Sequence, residues 1–308
     1  MIVVFGSINA DLVARVAALP REGETQLARG YAVHAGGKGA NQALAARRAG
    51  ADVVLAGAAG DDSFAEVALS SLRAAGVDLS RVAAVDGPTG LALIHVDTEG
   101  RNTITVVPGA NARARENLIS DAILTPATTL VLQLEVPKGE VDALAGRAKA
   151  RGTRVIVNVA PPMPLPATLF EATDVLVANE HEAAVVARAA GLPAEPDAFC
   201  AAVAERFGRA AVVTLGAQGL VAADANAGYR VPARSVAVVD STAAGDAFVG
   251  ALAAALDRGS PFVEALAEGS AAGSHACTRE GAQPSIGARS EWIDAARELA
   301  ARAIVRAR

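Results

Sequence analysis

An aspartate at the start of a predicted helix is the residue of this chain best suited to acid–base chemistry. Asp246 follows the small-residue turn Ser241–Gly245 and precedes a helical pattern that runs to Leu256. Free backbone N–H groups at a helix N-terminus bind anions, and the helix dipole favours negative charge there. A carboxylate beside such a site suits a base that takes a proton from a hydroxyl during phosphoryl transfer. The competing interpretation is that Asp246 only caps its helix, since aspartate is a favoured N-cap residue.

A glycine-rich turn, Gly36–Gln42, precedes an earlier helix. It is not a Walker loop, because that pattern needs glycine where Ala32 stands and Ser or Thr where Gly39 stands. No Gly-x-Gly-x-x-Gly follows a strand either, which disfavours a dinucleotide-binding fold. Glycines let the backbone approach a small ligand closely, and Lys38 and Asn41 can hydrogen-bond to it. The alternative is a plain turn into a helix.

Further polar residues follow the predicted strands. In an open parallel sheet, ligands bind at the carboxyl ends of the strands. These ends carry Ser7–Asp11, Gln133–Glu135, Asn158, Asn179–Glu180 and Thr214–Gly216. Several polar ends at one edge of a sheet predict a cleft for a polar ligand.

The elements that must position these residues alternate between strands and helices. Short apolar runs predict strands at Ile2–Phe5, Val53–Leu55, Leu130–Leu134, Val155–Val159, Val175–Val177 and Ala211–Leu215. Helical patterns follow at Ala40–Ala49, Ser63–Ala75, Val141–Arg151, Glu180–Ala190 and Asp197–Phe207. After Asp246 the chain is expected to be almost wholly helical, through Leu256, Pro261–Cys277 and Ser290–Arg306. This alternation predicts an α/β fold with a mostly parallel central sheet flanked by helices.

Two segments break the alternation and predict a separate small sheet. Residues 12–35 and residues 89–107 have the pattern of antiparallel hairpins with one polar face. The length of 308 residues permits one large domain or two smaller ones. Because no linker interrupts the pattern, we expect one domain, 1–308, with these two segments as a discontinuous lid.

Composition excludes several classes of protein. The 28 basic and 33 acidic residues give a net charge of −5, and aromatic residues make up 3% of the chain. These values argue against a nucleic-acid binder and against binding to acidic membranes. No apolar stretch reaches membrane-spanning length, and Met1–Gly6 has the pattern of a buried strand rather than a signal peptide. The two cysteines are too far apart to indicate a disulfide framework or a zinc site, so we expect a cytoplasmic protein.

Taken together, these motifs resemble the ribokinase branch of the PfkB carbohydrate kinases. Gly36–Gln42 is similar to the first signature of that family, and Asp240–Phe248 to the second. Other matches occur in the family's order at Gly6–Asp11, Gly60–Asp62, Gln133–Glu135, Asn179–Glu182 and Thr278–Ser285. The resemblance spans nearly the whole chain and implies a ribokinase-like fold.

The resemblance implies ATP-dependent phosphorylation of D-ribose at its 5-hydroxyl. Asp246 is then the catalytic base, and the backbone amides of Ala243, Ala244, Gly245 and Asp246 form an anion hole. The matching sugar-binding positions are Asn9, Asp11, Gly37, Lys38, Asn41, Glu135 and Asp246. The matching nucleotide-binding positions are Asn179, Glu182, Thr214, Gly216, Gly219 and Gly245.

Two cations and a second subunit are also implied by the resemblance. Mg²⁺ arrives with ATP, and Asn179 and Glu182 match a motif tied to its water network. Glu182 could instead serve only as an acidic residue in the first turn of a helix. A monovalent cation, usually K⁺, maps to Asp240, Thr242, Ala276, Arg279, Gly281 and Ser285. Members of the family often dimerise through their lids, which predicts a homodimer here.

The chain departs from the family pattern at a few positions and leaves two alternatives open. Ala178 and Val159 replace frequent prolines, and Ser270 stands where some relatives have a histidine near the adenine. A kinase for deoxyribose, fructose or a nucleoside is the nearest alternative, since small differences between pocket side chains set specificity. The other is a non-catalytic sugar-binding regulator. The intact Asp246 and Glu182 argue against it.

Overall fold

The computed structural model describes all residues, 1–308. The strands are β1 (Ile2–Phe5), β2 (Asn9–Arg15), β3 (Gly30–Gly36), β4 (Val53–Ala59), β5 (Asp78–Ala84), β6 (Gly90–Val96), β7 (Asn102–Val107), β8 (Thr129–Leu132), β9 (Arg154–Asn158), β10 (Val175–Asn179), β11 (Ala210–Thr214), β12 (Leu220–Ala223), β13 (Ala227–Val231) and β14 (Ile304–Ala307). The helices are α1 (Lys38–Arg48), α2 (Ser63–Ala75), α3 (Lys138–Ala150), α4 (Ala167–Ala172), α5 (Glu180–Ala190), α6 (Pro196–Phe207), α7 (Ala244–Asp257), α8 (Phe262–Ala276), α9 (Ala282–Ser285) and α10 (Arg289–Ala301). None of these helices is both long and apolar enough to cross a membrane.

A ten-stranded sheet forms the centre of the molecule, in the order β14-β13-β12-β11-β10-β9-β8-β1-β4-β5. The strands from β11 to β5 pair in parallel, while β12, β13 and β14 add antiparallel pairs at one edge. The predicted α/β architecture with a mostly parallel sheet is therefore confirmed. Parallel pairing also places the polar carboxyl ends of β1, β8, β9, β10 and β11 at one edge, as the sequence predicts.

Helices cover both faces of this sheet, because successive side chains of each buried strand point to opposite faces. On β1, Ile2 and Val4 belong to a core of 44 buried residues that also includes α1, α7, α8 and α10. Val3 and Phe5 belong to a second core of 36 buried residues, with α3, α5 and α6.

A separate four-stranded sheet has the order β3-β2-β6-β7. Within this small sheet, β2–β3 and β6–β7 are antiparallel hairpins, and β2 pairs in parallel with β6. The predicted hairpins are thus present. The first begins at Asn9 rather than at residue 12, so Asn9 and Asp11 lie on a strand of the small sheet.

The predicted all-helical C-terminal region is wrong at its end. Helix α10 ends at Ala301, and Ile304–Ala307 forms β14, which pairs antiparallel with β13. Neighbouring β-branched residues, Ile304 and Val305, favour a strand over a last helical turn. The sequence pattern also did not predict β5, β12 or β13. It ended β4 at Leu55, because the alanines and glycine that follow carry no strand preference.

Candidate active site

A cleft lies between the small sheet and the loops that flank α7 and α8. Its cavity of about 530 Å³ is lined on one side by Asp11 and Ile94 of the small sheet. Asp240, Thr242 and Gly281 line the opposite side. The cleft therefore joins a predicted sugar-binding residue to the predicted cation loop.

Asp246 is a buried residue in the first turn of α7, and it is not the N-cap. Ala243 is the N-cap and offers no side-chain hydrogen bond to the helix. The Asp246 carboxylate instead bonds to side chains of α1: Asn41 Nδ2 donates to Oδ2 at 2.9 Å and Gln42 Nε2 donates to Oδ1 at 2.9 Å. The capping interpretation is therefore wrong, and the carboxylate is held by another element.

The turn before α7 has an unusual backbone. Ala243 has φ 59°, and no other non-glycine residue has a positive φ. Left-handed residues followed by a helix create a concavity of N–H groups that suits anions, and such strain concentrates at functional sites. The N–H of Ala244 donates to Ser241 O at 3.2 Å, whereas the N–H groups of Ala243, Gly245 and Asp246 have no acceptor in the protein. Three of the four predicted anion-hole amides are thus available to a ligand.

Glycines bring the small sheet and α1 into close contact around Asn9 and Asp11. A Cβ on Gly36 would lie 2.1 Å from Asp11 Oδ2, and one on Gly37 would lie 2.7 Å from the Asn9 backbone nitrogen. Gly37 also has φ 90°, a conformation that L-residues with a side chain rarely adopt. These two positions therefore require glycine for steric reasons.

Glu135 connects the end of β8 to the start of α1. Ser7 Oγ donates to Glu135 Oε2 at 2.6 Å, and the backbone N–H of Lys38 donates to the same oxygen at 3.3 Å. Ser7 Oγ in turn accepts from Gly39 N–H at 3.3 Å. The predicted sugar-binding residues are thereby brought to one place.

The charges of this site perturb one another strongly. Burial raises the pKa of Asp11 to about 7, helped by the neighbouring carboxylates of Glu135 and Asp246 and opposed by Lys38. Burial also raises the pKa of Asp246, against the effect of Lys38 and the two amide donors. Burial alone would lower the pKa of Lys38. The negative charges around it raise that pKa above its ordinary value instead; they belong to Asp246, Glu135, Glu182 and Asp11. Burial and the neighbouring carboxylates outweigh the single ammonium at Asp11, so this carboxyl holds its proton near neutral pH.

Several buried amides of the site received no role from the sequence. Asn111 Nδ2 donates to Asn9 Oδ1 at 2.7 Å, and Asn111 Oδ1 accepts from Ile8 N–H at 2.9 Å. Gln42, Gln133 and Asn158 form a second buried group beside Asp246. Gln133 and Asn158 were visible as polar strand ends, but Asn111 lies in a short 3-10 helix, Gly109–Arg113, that gives no comparable signal.

Asn179 and Glu182 form a capping box at the start of α5. Asn179 Oδ1 accepts from Glu182 N–H at 2.9 Å, and Glu182 Oε2 accepts from Asn179 N–H at 2.8 Å. Burial raises the pKa of Glu182, opposed by the Asn179 hydrogen bond and by Lys38. Glu182 Oε1 makes no hydrogen bond within the protein, so one acceptor remains for a ligand or its water. Glu182 can therefore complete the capping box with one carboxylate oxygen and still offer the other to a nucleotide or its water.

Thr214 lies beside this capping box, because Asn179 and Thr214 are partners in the parallel pair β10–β11. The loop that follows is a tight turn in which Leu215 N–H donates to Gly219 O at 2.7 Å. A Cβ on Gly219 would lie 2.1 Å from Val231 O, whereas Gly216 has open space around it. The predicted nucleotide-binding positions at the start of α5, on β11 and in the loop after it are thus adjacent, and Gly219 is also required for packing.

Asp240 links the loop before α7 to the loop after α8. Its Oδ1 accepts from Thr242 N–H at 2.8 Å and from Thr242 Oγ1 at 2.6 Å, and its Oδ2 accepts from Gly281 N–H at 2.8 Å. Burial alone would raise the pKa of Asp240, but these donors hold it below its usual range. Arg279 N–H donates to Ala276 O at 3.3 Å in the same loop.

The groups of this loop that could hold a cation are oxygens. No group of three or more His, Cys, Asp or Glu side chains is placed to hold a metal ion. A cation at this loop therefore depends on Asp240 together with neutral oxygens, such as backbone carbonyls and the buried Ser285 hydroxyl, which donates to Ala282 O at 2.7 Å. Hard cations prefer such oxygens. The Arg279 guanidinium pairs with Glu291 instead.

Comparison with known proteins places the chain in a family. The sequence pattern of the pfkB family carbohydrate kinases matches residues 1–289. The chain belongs to this family. This pfkB-family carbohydrate kinase is 34% identical over 295 residues to a ribokinase of Haemophilus influenzae, covering 94% of the chain and 96% of the relative. It is 36% identical over 300 residues to a ribokinase of Schizosaccharomyces pombe, covering 92% and 94%.

Solved structures agree with the family. A ribokinase of Thermotoga maritima superposes with a TM-score of 0.89 and 33% identity, covering 96% of this chain and 99% of that one. A ribokinase of Arabidopsis thaliana in complex with ribose and ATP gives a TM-score of 0.86 and 32% identity, covering 96% and 98%. The predicted ribokinase-like fold is confirmed. In this pfkB-family kinase, Ser270 is buried and donates to Pro232 O at 3.1 Å.

Proposed function

We propose that this kinase transfers the γ-phosphoryl group of ATP to the 5-hydroxyl of D-ribose, with Asp246 as general base. The observation that carries the proposal is the buried Asp246 carboxylate, held by Asn41 and Gln42 in the same turn as three unpaired backbone amides. Curated relatives that this chain matches over more than nine-tenths of its length are ribokinases. The Arabidopsis relative binds ribose and ATP.

Asp246 takes the proton of the 5-hydroxyl while the hydroxyl oxygen forms its bond to the γ-phosphorus. The bond from that phosphorus to the bridging oxygen of ADP breaks in the same transfer. Burial raises the pKa of Asp246, which increases its basicity, and the Lys38 ammonium and two amide donors stabilise the ionised form. Burial thus makes Asp246 a stronger base, while Lys38 and the two amide donors oppose its protonation.

The amides of Ala243, Gly245 and Asp246 stabilise the transferring phosphoryl group. They lie at the N-terminus of the long helix α7, whose dipole favours negative charge. Phosphoryl transfer depends mainly on such positioning and on charge stabilisation. Ala244 contributes less in this scheme, because its N–H already donates to Ser241 O.

The sugar lies among Asn9, Asp11, Lys38, Asn41 and Glu135, against the glycine backbone at residue 37. Asn41 Oδ1 is buried and has no hydrogen-bond partner in the protein. Such an orphaned acceptor costs roughly 1–3 kcal/mol unless a ligand hydroxyl pairs with it. A polyol supplies that hydroxyl, and the surrounding carboxylates accept from others.

The nucleotide lies along Asn179, Glu182, Thr214, Gly216 and Gly219, with Gly245 at the transferring phosphate. Mg²⁺ arrives with ATP and neutralises its phosphate charge. Glu182 Oε1 would accept from water around that ion. The oxygens at Asp240, Thr242, Ala276, Arg279, Gly281 and Ser285 would hold K⁺. A cation there stiffens the loop that carries the anion hole.

The same proposal includes the domain organisation and the assembly. Residues 1–308 act as one domain, and the small sheet acts as the lid over the sugar.

Exposed apolar side chains on and near the small sheet support a homodimer through the lids; they are Leu27, Tyr31, Ile104, Val106 and Val107. Sedimentation of the purified chain should give twice the monomer mass. A cytoplasmic location also stays a prediction.

Replacement of the base tests the proposed function. Purified protein with ATP, Mg²⁺ and K⁺ should phosphorylate ribose, and Asp246→Asn should lower kcat by about 10⁴-fold, since general-base catalysis contributes up to that factor. Ribose binding, measured by calorimetry, should stay within about threefold of the wild-type value because asparagine keeps the shape of the site. Full turnover by Asp246→Asn would remove Asp246 as the base. A higher kcat/KM for deoxyribose, fructose or adenosine than for ribose would assign the chain to a related kinase.

A further inference from the structure

A chain of buried side-chain amides ends on the Asp246 carboxylate. Gln42 is fully buried, and its Nε2 donates to Asp246 Oδ1 at 2.9 Å and to Asn158 Oδ1 at 3.0 Å. Gln42 Oε1 accepts from Gln133 Nε2 at 2.8 Å. Both N–H groups and the oxygen of the Gln42 amide are therefore engaged.

The large sheet sets the direction of these hydrogen bonds. Asn158 Nδ2 donates to Val177 O of β10 at 3.2 Å, and a backbone carbonyl can only accept. The Asn158 oxygen must then face Gln42, so the Gln42 amide must present its N–H groups to Asn158 and Asp246. A flipped Gln42 would place its oxygen against two acceptors. The backbone of β10 thus determines, through two side chains, that Asp246 receives an N–H.

Close packing of two helices holds Gln42 at this distance. A Cβ on Gly250, one turn beyond Asp246 on α7, would lie 2.7 Å from Gln42 O and 2.4 Å from Ala45 Cβ. The missing side chain at Gly250 lets α1 approach α7. The backbone of α1 at Gln42 is therefore held close to α7, with the Gln42 amide within hydrogen-bond distance of the carboxylate.

We propose that Gln42 is the positioning residue of the catalytic base, a role that rests on the proposed function of Asp246. One N–H on each carboxylate oxygen, from Asn41 and from Gln42, fixes the rotation of the carboxylate about its Cβ–Cγ bond. A fixed lone pair then faces the sugar hydroxyl, and small misplacements at this step are costly in rate. The Gln42 N–H also favours the ionised carboxylate.

The other charged groups that face Asp246 do not change when Gln42 is replaced. Lys38 lowers the pKa of Asp246, and Glu135 raises it. Asp11 and Glu182 are the remaining carboxylates close enough to interact with Asp246. A shift in titration on replacing Gln42 therefore reports the loss of its N–H.

Steady-state kinetics from pH 5 to pH 9 with ATP and ribose test this role. Gln42→Leu should lower kcat at neutral pH by about 10- to 100-fold and leave the KM for ribose within about threefold. The acidic limb of its kcat profile should move up by about one pH unit, because the base loses a donor to its ionised form. Gln42→Glu keeps the size of the side chain and adds a carboxylate, so the acidic limb of its kcat profile should move to still higher pH.

Thr173→Val is the matched control for the loss of a buried hydrogen bond. Thr173 is as buried as Gln42, and its Oγ1 donates to Leu169 O at 2.6 Å near the amino end of β10, away from the cleft. This variant should melt at a lower temperature and keep the wild-type kcat and pH profile.

Unchanged kcat and an unmoved acidic limb in folded Gln42→Leu would overturn the proposal. If that variant does not fold, an unmoved limb in Gln42→Glu overturns it in the same way. If Asp246→Asn is inactive in the same assay, Asp246 remains the proposed base and only the positioning role of Gln42 is lost. Full activity of Asp246→Asn would instead remove the base itself.

Discussion

The two parts of the proposed site, one for the sugar and one for the nucleotide, are built from different kinds of interaction. On the proposed sugar side, buried side chains hydrogen-bond to one another, as Asn41 and Gln42 do with Asp246. On the proposed nucleotide side, the polar groups complete the local structure, as in the capping box of Asn179 and Glu182. The sugar side is therefore shaped by tertiary packing before a ligand arrives. The nucleotide side is shaped by the ends of helices and turns, which remain close to solvent.

A glycine-to-alanine substitution in each part of the proposed site should distinguish the two parts most clearly, by the free energy of unfolding that each one loses. Gly37→Ala puts a methyl group against the backbone of Ser7 and Asn9 at φ 90°, and we expect it to lower the free energy of unfolding by about 3 kcal/mol or more. Gly216→Ala has φ +54° and no atom within 4 Å of the added carbon. Its cost should be about 1–2 kcal/mol, from the left-handed backbone alone. Urea unfolding of both variants measures the difference, and equal losses would contradict the comparison.

The charge of the sugar side should appear in the pH dependence of stability. Asp11 has its pKa raised from 3.8 to about 7, so the native state binds this proton more tightly than the unfolded chain does. Asp11 therefore contributes stability that is present at low pH and is lost as the pH rises from about 4 through about 7.

Asp11→Asn removes that loss. The variant should gain stability relative to the wild type between pH 5 and pH 8, by about 3 kcal/mol, and should bind ribose weakly. Parallel stability curves for the two proteins across this range would show that Asp11 titrates normally.

The capping box should give the smallest effect on stability. Asn179→Ala removes the N-cap of α5 and should cost about 1 kcal/mol, whereas Asn179→Ser keeps an acceptor and should recover most of that loss. Thermal unfolding measures this recovery. If Asn179 also serves ATP, the serine variant should still have a higher KM for ATP. Recovery of both quantities would leave Asn179 with a structural role only.

The sequence predicted the proposed site better than it predicted the contacts within it. Strand alternation placed Glu135, Asn179 and Thr214 at one edge, because the carboxyl ends of parallel strands meet there. The family resemblance named Asn41, Lys38 and Asp246, which the structure brings together. These inferences need only the order of elements and the positions of motifs.

The remaining contacts depend on packing that no local pattern encodes. Gln42 reaches Asp246 only because Gly250 lets two helices approach, and these residues are far apart in sequence. Asn111 donates to Asn9 from a short 3-10 helix and lies 102 residues further along the chain. The edge strand β14 likewise depends on pairing with β13 as well as on the β-branched residues of its own short sequence.

The two glycines beside Asn9 and Asp11 limit how the site can be redesigned. Gly36 and Gly37 cannot acquire side chains without displacing Asp11 or the backbone of Asn9, so libraries that randomise them should return mostly unfolded protein. Val13, Ile94 and Ile104 of the small sheet line the cavity with side chains rather than with glycine backbone. We therefore expect variation in sugar preference to arise at these positions.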